Sequence, residues 1–399
     1  RLWSHLRKGR ESASFEYDSS WLSHAERFPL EPLLQLTSGR FYSGADKALF
    51  GAIGDSAPDR WGRMLMRRAA RQIAKQENRP LHRFRELDYL LMVNDFARQG
   101  ALRFKAHADG VYLAGNEVTP IPPTIELPKL LHASDRFLNE QASSEDMRLL
   151  LAPGSSLGGA RPKSSVIGRD QRLYIAKFPH RDDEFNLLMW EAVALTLAEK
   201  AGLRTPEWQI ENINRRPVML LRRFDREGKI RIPFLSAMSM LNTTDHETHS
   251  YLEIADAIRR FGANPQKDLI ELWRRIVFSI LISNTDDHLR NHAFLYVGQA
   301  GWHLSPVYDI NPVPEEIRPR ILSTAIDFED ATASMDTALS VVKEFGLTLK
   351  DAKQIAGEVA KATASWSCTA RDKGISHNEI SRMESAFEHA DLHRARRFQ

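Results

Sequence analysis

The stretch Asn284-Thr285-Asp286-Asp287-His288-Leu289-Arg290-Asn291 decides the reading of this chain. It follows a very apolar run, Ile276 to Ile282, so a charged block begins where a buried helix ends. A rigid element that hands its chain to an exposed polar loop is well suited to presenting reactive side chains. Asp286 and Asn291 stand five residues apart, the separation of base aspartate and metal-binding asparagine in the catalytic loop of a protein kinase. Phosphoryl transfer needs one carboxylate to take the hydroxyl proton and an oxygen ligand for Mg²⁺ close by. On its own the spacing fits equally a polar helix terminus with Asp287 and His288 at the surface.

Reading toward the C-terminus, a strand-like Ala293 to Val297 and the turn Gly298 to Gly301 lead into Leu304-Ser305-Pro306-Val307-Tyr308-Asp309. Such a hairpin return can carry Asp309 back beside Asn291, as a second Mg²⁺ ligand. Before Asn311-Pro312, Asp309 also suits a plain turn.

Toward the N-terminus, Ser155-Ser156-Leu157-Gly158-Gly159-Ala160-Arg161-Pro162-Lys163 is a glycine-rich segment. Glycines let backbone N–H groups approach phosphate oxygens, although no Walker A spacing is present. Lys177 sits in the apolar strand Leu173 to Phe178, where its ammonium needs an anion unless it faces water. Glu191, in the helix that follows, is a candidate partner that would help position phosphates. Arg222-Arg223-Phe224-Asp225 falls where a hinge strand would meet adenine. Glycine-rich loop, strand Lys, helix Glu, catalytic loop and metal Asp therefore occur in kinase order.

Around these motifs, the expected organisation is a small unit over 1–114, a proline-rich linker over 115–128, a strand-containing lobe over 129–245 and a helical lobe over 246–399. Arg10 to Trp21 reads as strand, with Phe15 and Tyr17 on one face. Asp55 to Arg71 and Arg85 to Phe96 read as helices, the first with Pro58 in its first turn. Val111 to Leu113 reads as a short strand. The chain has 399 residues, 42% apolar, enough for more than one core. Lys plus Arg total 55 against 52 Asp plus Glu, so net charge demands no nucleic acid. The single cysteine, Cys368, excludes an internal disulfide framework and a Cys-rich metal site and fits a reducing cytosol. No apolar run approaches the ~20 residues of a membrane span. The opening Arg1-Leu2-Trp3 lacks Met and a signal-peptide pattern, as expected of a clipped cytoplasmic chain.

Ser156 to Lys163, Arg223-Phe224-Asp225-Arg226, Asn284 to Asn291 and Ser305 to Asp309 resemble the signature segments of the HipA family. These are kinase toxins of bacterial type II toxin–antitoxin systems. Ser14-Phe15-Glu16-Tyr17 and Pro58-Asp59-Arg60-Trp61-Gly62-Arg63 extend the resemblance over nearly the whole chain. It implies an α+β fold, with a small N-terminal α/β subdomain, a protein-kinase-like core with a mixed N-lobe, and a mainly helical C-terminal lobe. It implies a serine/threonine kinase using ATP and Mg²⁺, with Asp286 as base and Asn291 and Asp309 on the metal. Ser156, Gly158, Gly159, Lys163, Lys177, Glu191, Arg222, Phe224, Asp225, His288 and Arg290 would serve the nucleotide. It further implies autophosphorylation at Ser156, with Ser155 as neighbour, an aminoacyl-tRNA synthetase as target, and a HipB-like helix-turn-helix antitoxin on operator DNA. Two departures stand out. Arg290 replaces a Lys frequent in the family, a planar fork for a point charge. Ile310 after Asp309 removes the Asp-Phe-Gly of ordinary protein kinases.

The arginines at 60, 63, 67, 68 and 71, and those at 394, 396 and 397, form basic clusters. A solvated helix face is the plain reading and phosphate contact with operator DNA the functional one. Rival functions are a small-molecule phosphotransferase, a non-catalytic bridge between antitoxin and DNA, and a metal hydrolase using Asp286, Asp287, His288 and His292.

Overall fold

The computed structural model describes every residue except 45, 116–120, 155–158, 181–182, 246 and 399. The architecture is α+β, and the chain forms two compact units, Arg1–Arg181 with Trp208–Leu235, and Asp182–Glu207 with Ser236–Gln399.

The first unit opens with an antiparallel sheet of β1 (Leu2–Arg7), β2 (Arg10–Glu16) and β3 (Arg40–Tyr42). Lys8 and Gly9 both have positive φ (49° and 79°), the tight hairpin geometry that matches strand twist. The Tyr17 ring packs edge-on against Phe15, at 4.8 Å between centroids, and joins Leu34, Phe50, Ile53 and Leu90 in a core. Helix α1 spans Arg60–Gln76, not Asp55 to Arg71. Asp59 is extended and its carboxylate accepts from Arg60 N, so the helix starts after it and Pro58 lies outside. Helix α2 is only Glu86–Met92, because Val93 turns extended. The expected strand at Val111 to Leu113 reduces to one bridge between Lys105 and Tyr112. Of the expected linker, 116–120 lie outside the described residues, while Thr124–Glu126 form a single helical turn leading into α3 (Leu127–Leu138). Helix α4 spans Ser144–Gly154.

A second sheet follows in the order β4 (Lys163–Ile167), β5 (Leu173–Lys177), β7 (Arg216–Arg222), β6 (Trp208–Ile213), all neighbours antiparallel. Its buried face, with Val166, Ala176, Val218 and Leu220, shares one core with Trp61 and Leu65 of α1, Leu130 and Phe137 of α3 and Leu150 of α4.

The second unit contains α5 (Leu187–Lys200), closed by Gly202 at φ +79°. It continues with α6 (Tyr251–Phe261) and α7 (Pro265–Leu281). Asn264 caps α7, Pro265 fills its first turn, and Trp273, Ile276, Val277, Ile280 and Leu281 are fully buried. After α7 comes the hairpin β8 (Ala293–Tyr296) and β9 (Trp302–Leu304), then helices α8 (Met335–Ser340) and α9 (Leu349–Thr363). Among the described residues no helix is long and apolar enough to cross a membrane.

Candidate active site

Helix α7 ends through Ser283, at φ +51°, a left-handed conformation that costs a non-glycine residue. Arg320 covers this ending, donating to the Ser283 hydroxyl (3.1 Å) and the Ile280 carbonyl (3.1 Å). The loop that follows divides its two aspartates. Asp287 is 3% exposed and Asp286 keeps 68% of its side-chain surface open.

Asp287 accepts from Tyr251 Oη at 2.5 Å and Ser279 Oγ at 3.2 Å. His292 Nε2 lies 3.1 Å from its other oxygen, off the line of a proper hydrogen bond. Burial pushes the Asp287 carboxyl up, but His292, Tyr251 and Ser279 outweigh it and hold it below its ordinary value. Burial and the Asp287 charge push the Tyr251 hydroxyl well above its own. Asp287 thus works as an internal post for the loop.

Asp286 faces outward, and Arg318 Nη1 donates to it at 3.0 Å. Its backbone carbonyl accepts from His288 N at 2.9 Å and from Asn291 Nδ2 at 3.1 Å. Asn291 is 7% exposed, and with its nitrogen engaged, the carboxamide oxygen is the atom left to meet a ligand. His288 Nδ1 and Thr285 Oγ1 are buried without a protein partner, positions that a bound group or water would satisfy. Arg290 is exposed and paired with Asp245.

The return expected after β9 is present. Ser305 N donates to Ala293 O (2.8 Å), Tyr308 Oη to Arg290 O (2.6 Å), Asn311 N to Asn284 Oδ1 (3.2 Å) and Val313 N to Ser283 O (3.2 Å). Tyr308 and Ile310, the neighbours of Asp309, line a small cavity together with Asn291, Asp287 and His292. Asp309 itself is half-buried at φ +57°, left-handed like Ser283. Asn291 and Asp309 offer hard oxygen donors, the chemistry Mg²⁺ prefers. Among the described residues no three His, Cys, Asp or Glu side chains gather as a metal site. The Asp286, Asp287, His288 and His292 set therefore does not form the cluster a metal hydrolase would need.

The other expected residues lie as follows. Ser155, Ser156 and Gly158 fall outside the described residues. Gly159 has φ +81°, and Lys163, in β4, pairs in register with Lys177 of β5. Glu191 is buried in α5. Arg222 ends β7, opposite Tyr174. Phe224 stacks with Phe234 at 6.5 Å. Asp225 is 3% exposed and engaged by Arg223, Arg226 and Gly100 N (2.7 Å). Its carboxylate serves an internal network, not an open face. Burial works against its charge, and Arg223 first among its partners holds its carboxyl below the ordinary value. Of the basic cluster on α1, Arg63 pairs with Glu86 and lies over Tyr89, and Arg68 donates to the Phe137 carbonyl and to Glu140. Arg60, Arg67 and Arg71 are exposed. Arg394 pairs with Asp336, while Arg396 and Arg397 are exposed.

Sequence reasoning did not find Arg318, Arg320 or Tyr251. They lie 32 residues after Asp286, 37 after Ser283 and 36 before Asp287, in segments with no motif of their own.

Residues 155–366 match the family model described as the HipA-like C-terminal domain, and residues 2–93 match the HipA N-terminal domain. The chain belongs to the HipA family. A Haemophilus influenzae protein named "Putative kinase" is 27% identical over 196 residues, 43% of this chain. The match spans only 57% of that relative's length. "Putative kinase Y4mE" of Sinorhizobium fredii is 24% identical over 324 residues, 74% of this chain and 71% of the relative. The solved complex of Shewanella oneidensis HipA, HipB and operator DNA matches at TM-score 0.64, covering 99% of this chain and 94% of that one. At 14% identity it shows a shared HipA fold.

Proposed function

We propose that this HipA-family protein is an ATP- and Mg²⁺-dependent serine/threonine protein kinase toxin. The observation that carries the reading is the split of Asp286 and Asp287. One carboxylate is buried as a post, and its neighbour is held outward, with Asn291 anchored to its carbonyl. The names of the Haemophilus and Sinorhizobium relatives support a kinase activity.

In this reading Asp286 accepts the proton of the attacking serine or threonine hydroxyl as the γ-phosphoryl passes to that oxygen and ADP leaves. Arg318 must release Asp286 first, which an exposed ion pair permits at small cost. The Asn291 oxygen and Asp309 would hold Mg²⁺, which would neutralise negative charge on the ATP phosphates. Lys177, aided by Glu191, and Lys163 would contact ATP phosphates, as would the glycine-rich loop. His288 Nδ1 and Arg290 would face the same group, and the backbone of Arg222 to Phe224 would meet adenine. The expected target is an aminoacyl-tRNA synthetase, with self-inactivation at Ser156 or Ser155. A HipB-like antitoxin on operator DNA is the expected partner, in keeping with the assembly of the Shewanella relative.

The test is incubation of protein shown to be unmodified with labelled ATP and Mg²⁺, followed by mass spectrometry. Phosphate on Ser156 or Ser155 supports a self-modifying protein kinase. Transfer only to small hydroxyl compounds would favour the rival phosphotransferase, and no transfer at all would contradict both.

A further inference from the structure

The glycine-rich segment is fastened by residues the kinase reading does not use. Asp59, just before α1, spends its two carboxylate oxygens in different directions. Oδ1 accepts from Arg60 N at 2.8 Å and caps the helix, and Oδ2 accepts from Gly159 N at 2.8 Å. Trp61 completes the grip. Its backbone N donates to Gly159 O at 3.1 Å and its indole Nε1 donates to Lys163 O at 2.8 Å. Both ends of the segment from Gly159 to Lys163 are therefore tied to the first turn of α1.

The grip is rigid. Trp61 and Leu65 are fully buried, and the Trp61 ring packs edge-on against Phe137 at 5.2 Å. Gly154, where α4 ends, lies so close that an added Cβ would stand 2.6 Å from Leu65 Cδ1 and 3.1 Å from Trp61 Nε1. Gly159, at φ +81°, is in a conformation other residues rarely adopt, and the Lys163 ammonium lies 2.5 Å from where its Cβ would be. The peptide that Asp59 holds is thus the one against which the Lys163 ammonium is folded.

We propose that Asp59 and Trp61 are positioning residues for the phosphate-binding end of the nucleotide site. By holding Gly159 and Lys163 from the start of α1, they make the affinity for ATP phosphates depend on the N-terminal part of the chain. The inference rests on the kinase reading above. A bond from a backbone N–H to a carboxylate is charge-assisted and among the stronger ones. Its loss lets the Gly159 peptide leave the orientation that a phosphate requires, with no change at adenine.

Asp59→Ser separates this role from helix capping. Serine still caps but is too short to reach Gly159. Equilibrium binding of Mg·ATP and of adenosine is measured on the full chain for wild type, Asp59→Ser and Thr348→Ala. The last variant removes the cap of a helix in the other unit, α9. The expected result is ATP binding weakened about tenfold in Asp59→Ser, with adenosine binding unchanged and Thr348→Ala like wild type for both ligands. Equal weakening of ATP and adenosine, or no change in either, overturns the proposal. Wild-type protein that binds neither ligand contradicts the kinase reading itself. If Asp59→Ser fails to fold, Asp59→Asn is read by the same outcomes, since it keeps the capping oxygen and turns a donor toward Gly159.

Discussion

The loop after α7 and the glycine-rich segment before β4 are held by different means. The first is braced partly by its sequence neighbours and partly by Tyr251 and Arg320, 36 and 37 residues away. Asn284 N returns to Ser279 O, Asn291 Nδ2 to Asp286 O, and Asp287 is sunk under Ser279, His292 and Tyr251. The second is held across 100 residues of chain, by Asp59 on Gly159 and Trp61 on Lys163. A local brace can be copied as a motif. A long-range clamp exists only once α1 has docked in its core.

This difference sets the order of expected effects. Trp61→Ala should destabilise the first unit by about 3–5 kcal/mol, through lost packing and an orphaned Lys163 carbonyl. Asp287→Ala should cost a similar ~3–5 kcal/mol, because the buried hydroxyls of Tyr251 and Ser279 lose their acceptor. Chemical denaturation followed by Trp fluorescence checks both. If either variant falls within 1 kcal/mol of wild type, the corresponding brace is not structural.

Two buried carboxylates, Glu31 in the first unit and Asp287 in the second, should also differ in the sign of their response to pH. Glu31, 2% exposed and accepting from Ala52 N at 2.6 Å, has its carboxyl pushed up by burial to about 7. Its folded value is raised, so its contribution is complete at low pH and is lost as pH rises from about 4.5 to about 7. Asp287 is lowered, so its contribution is present above its ordinary value and is lost as pH falls. Glu31→Gln should therefore remove a decline on the order of 3 kcal/mol between those limits and leave the acid limb intact. Urea denaturation across pH reads this directly, and an unchanged slope would contradict it.

The smallest effect belongs to Arg318. Its pair with Asp286 is exposed, so Arg318→Ala should change stability by less than about 1 kcal/mol, as measured by thermal melting. A larger loss would mean that the segment around Arg318 braces the loop after α7.

How much could be read in advance follows the same division. The hairpin that returns the chain toward Asp309 and the strands at Leu173 and Arg216 are local patterns, and the structure contains each of them. The start of α1 was misplaced because Asp55 to Pro58 carries helix-compatible residues, while the deciding bond, Asp59 to Arg60 N, is a matter of geometry. Composition could not separate Asp286 from Asp287, because burial by Tyr251 and Ser279 depends on how α6 and α7 pack. Asp225 looked available beside a hinge strand, yet Arg223 and Arg226 enclose it.

The central claim is that Asp286 is the base of a phosphoryl transfer. The most direct measurement compares wild type and Asp286→Ala, for Mg·ATP binding and for transfer of labelled phosphate to protein serine. The account predicts equal ATP affinity and transfer reduced by ~10²–10⁴ or more in the variant. Transfer that persists at the wild-type rate would contradict it.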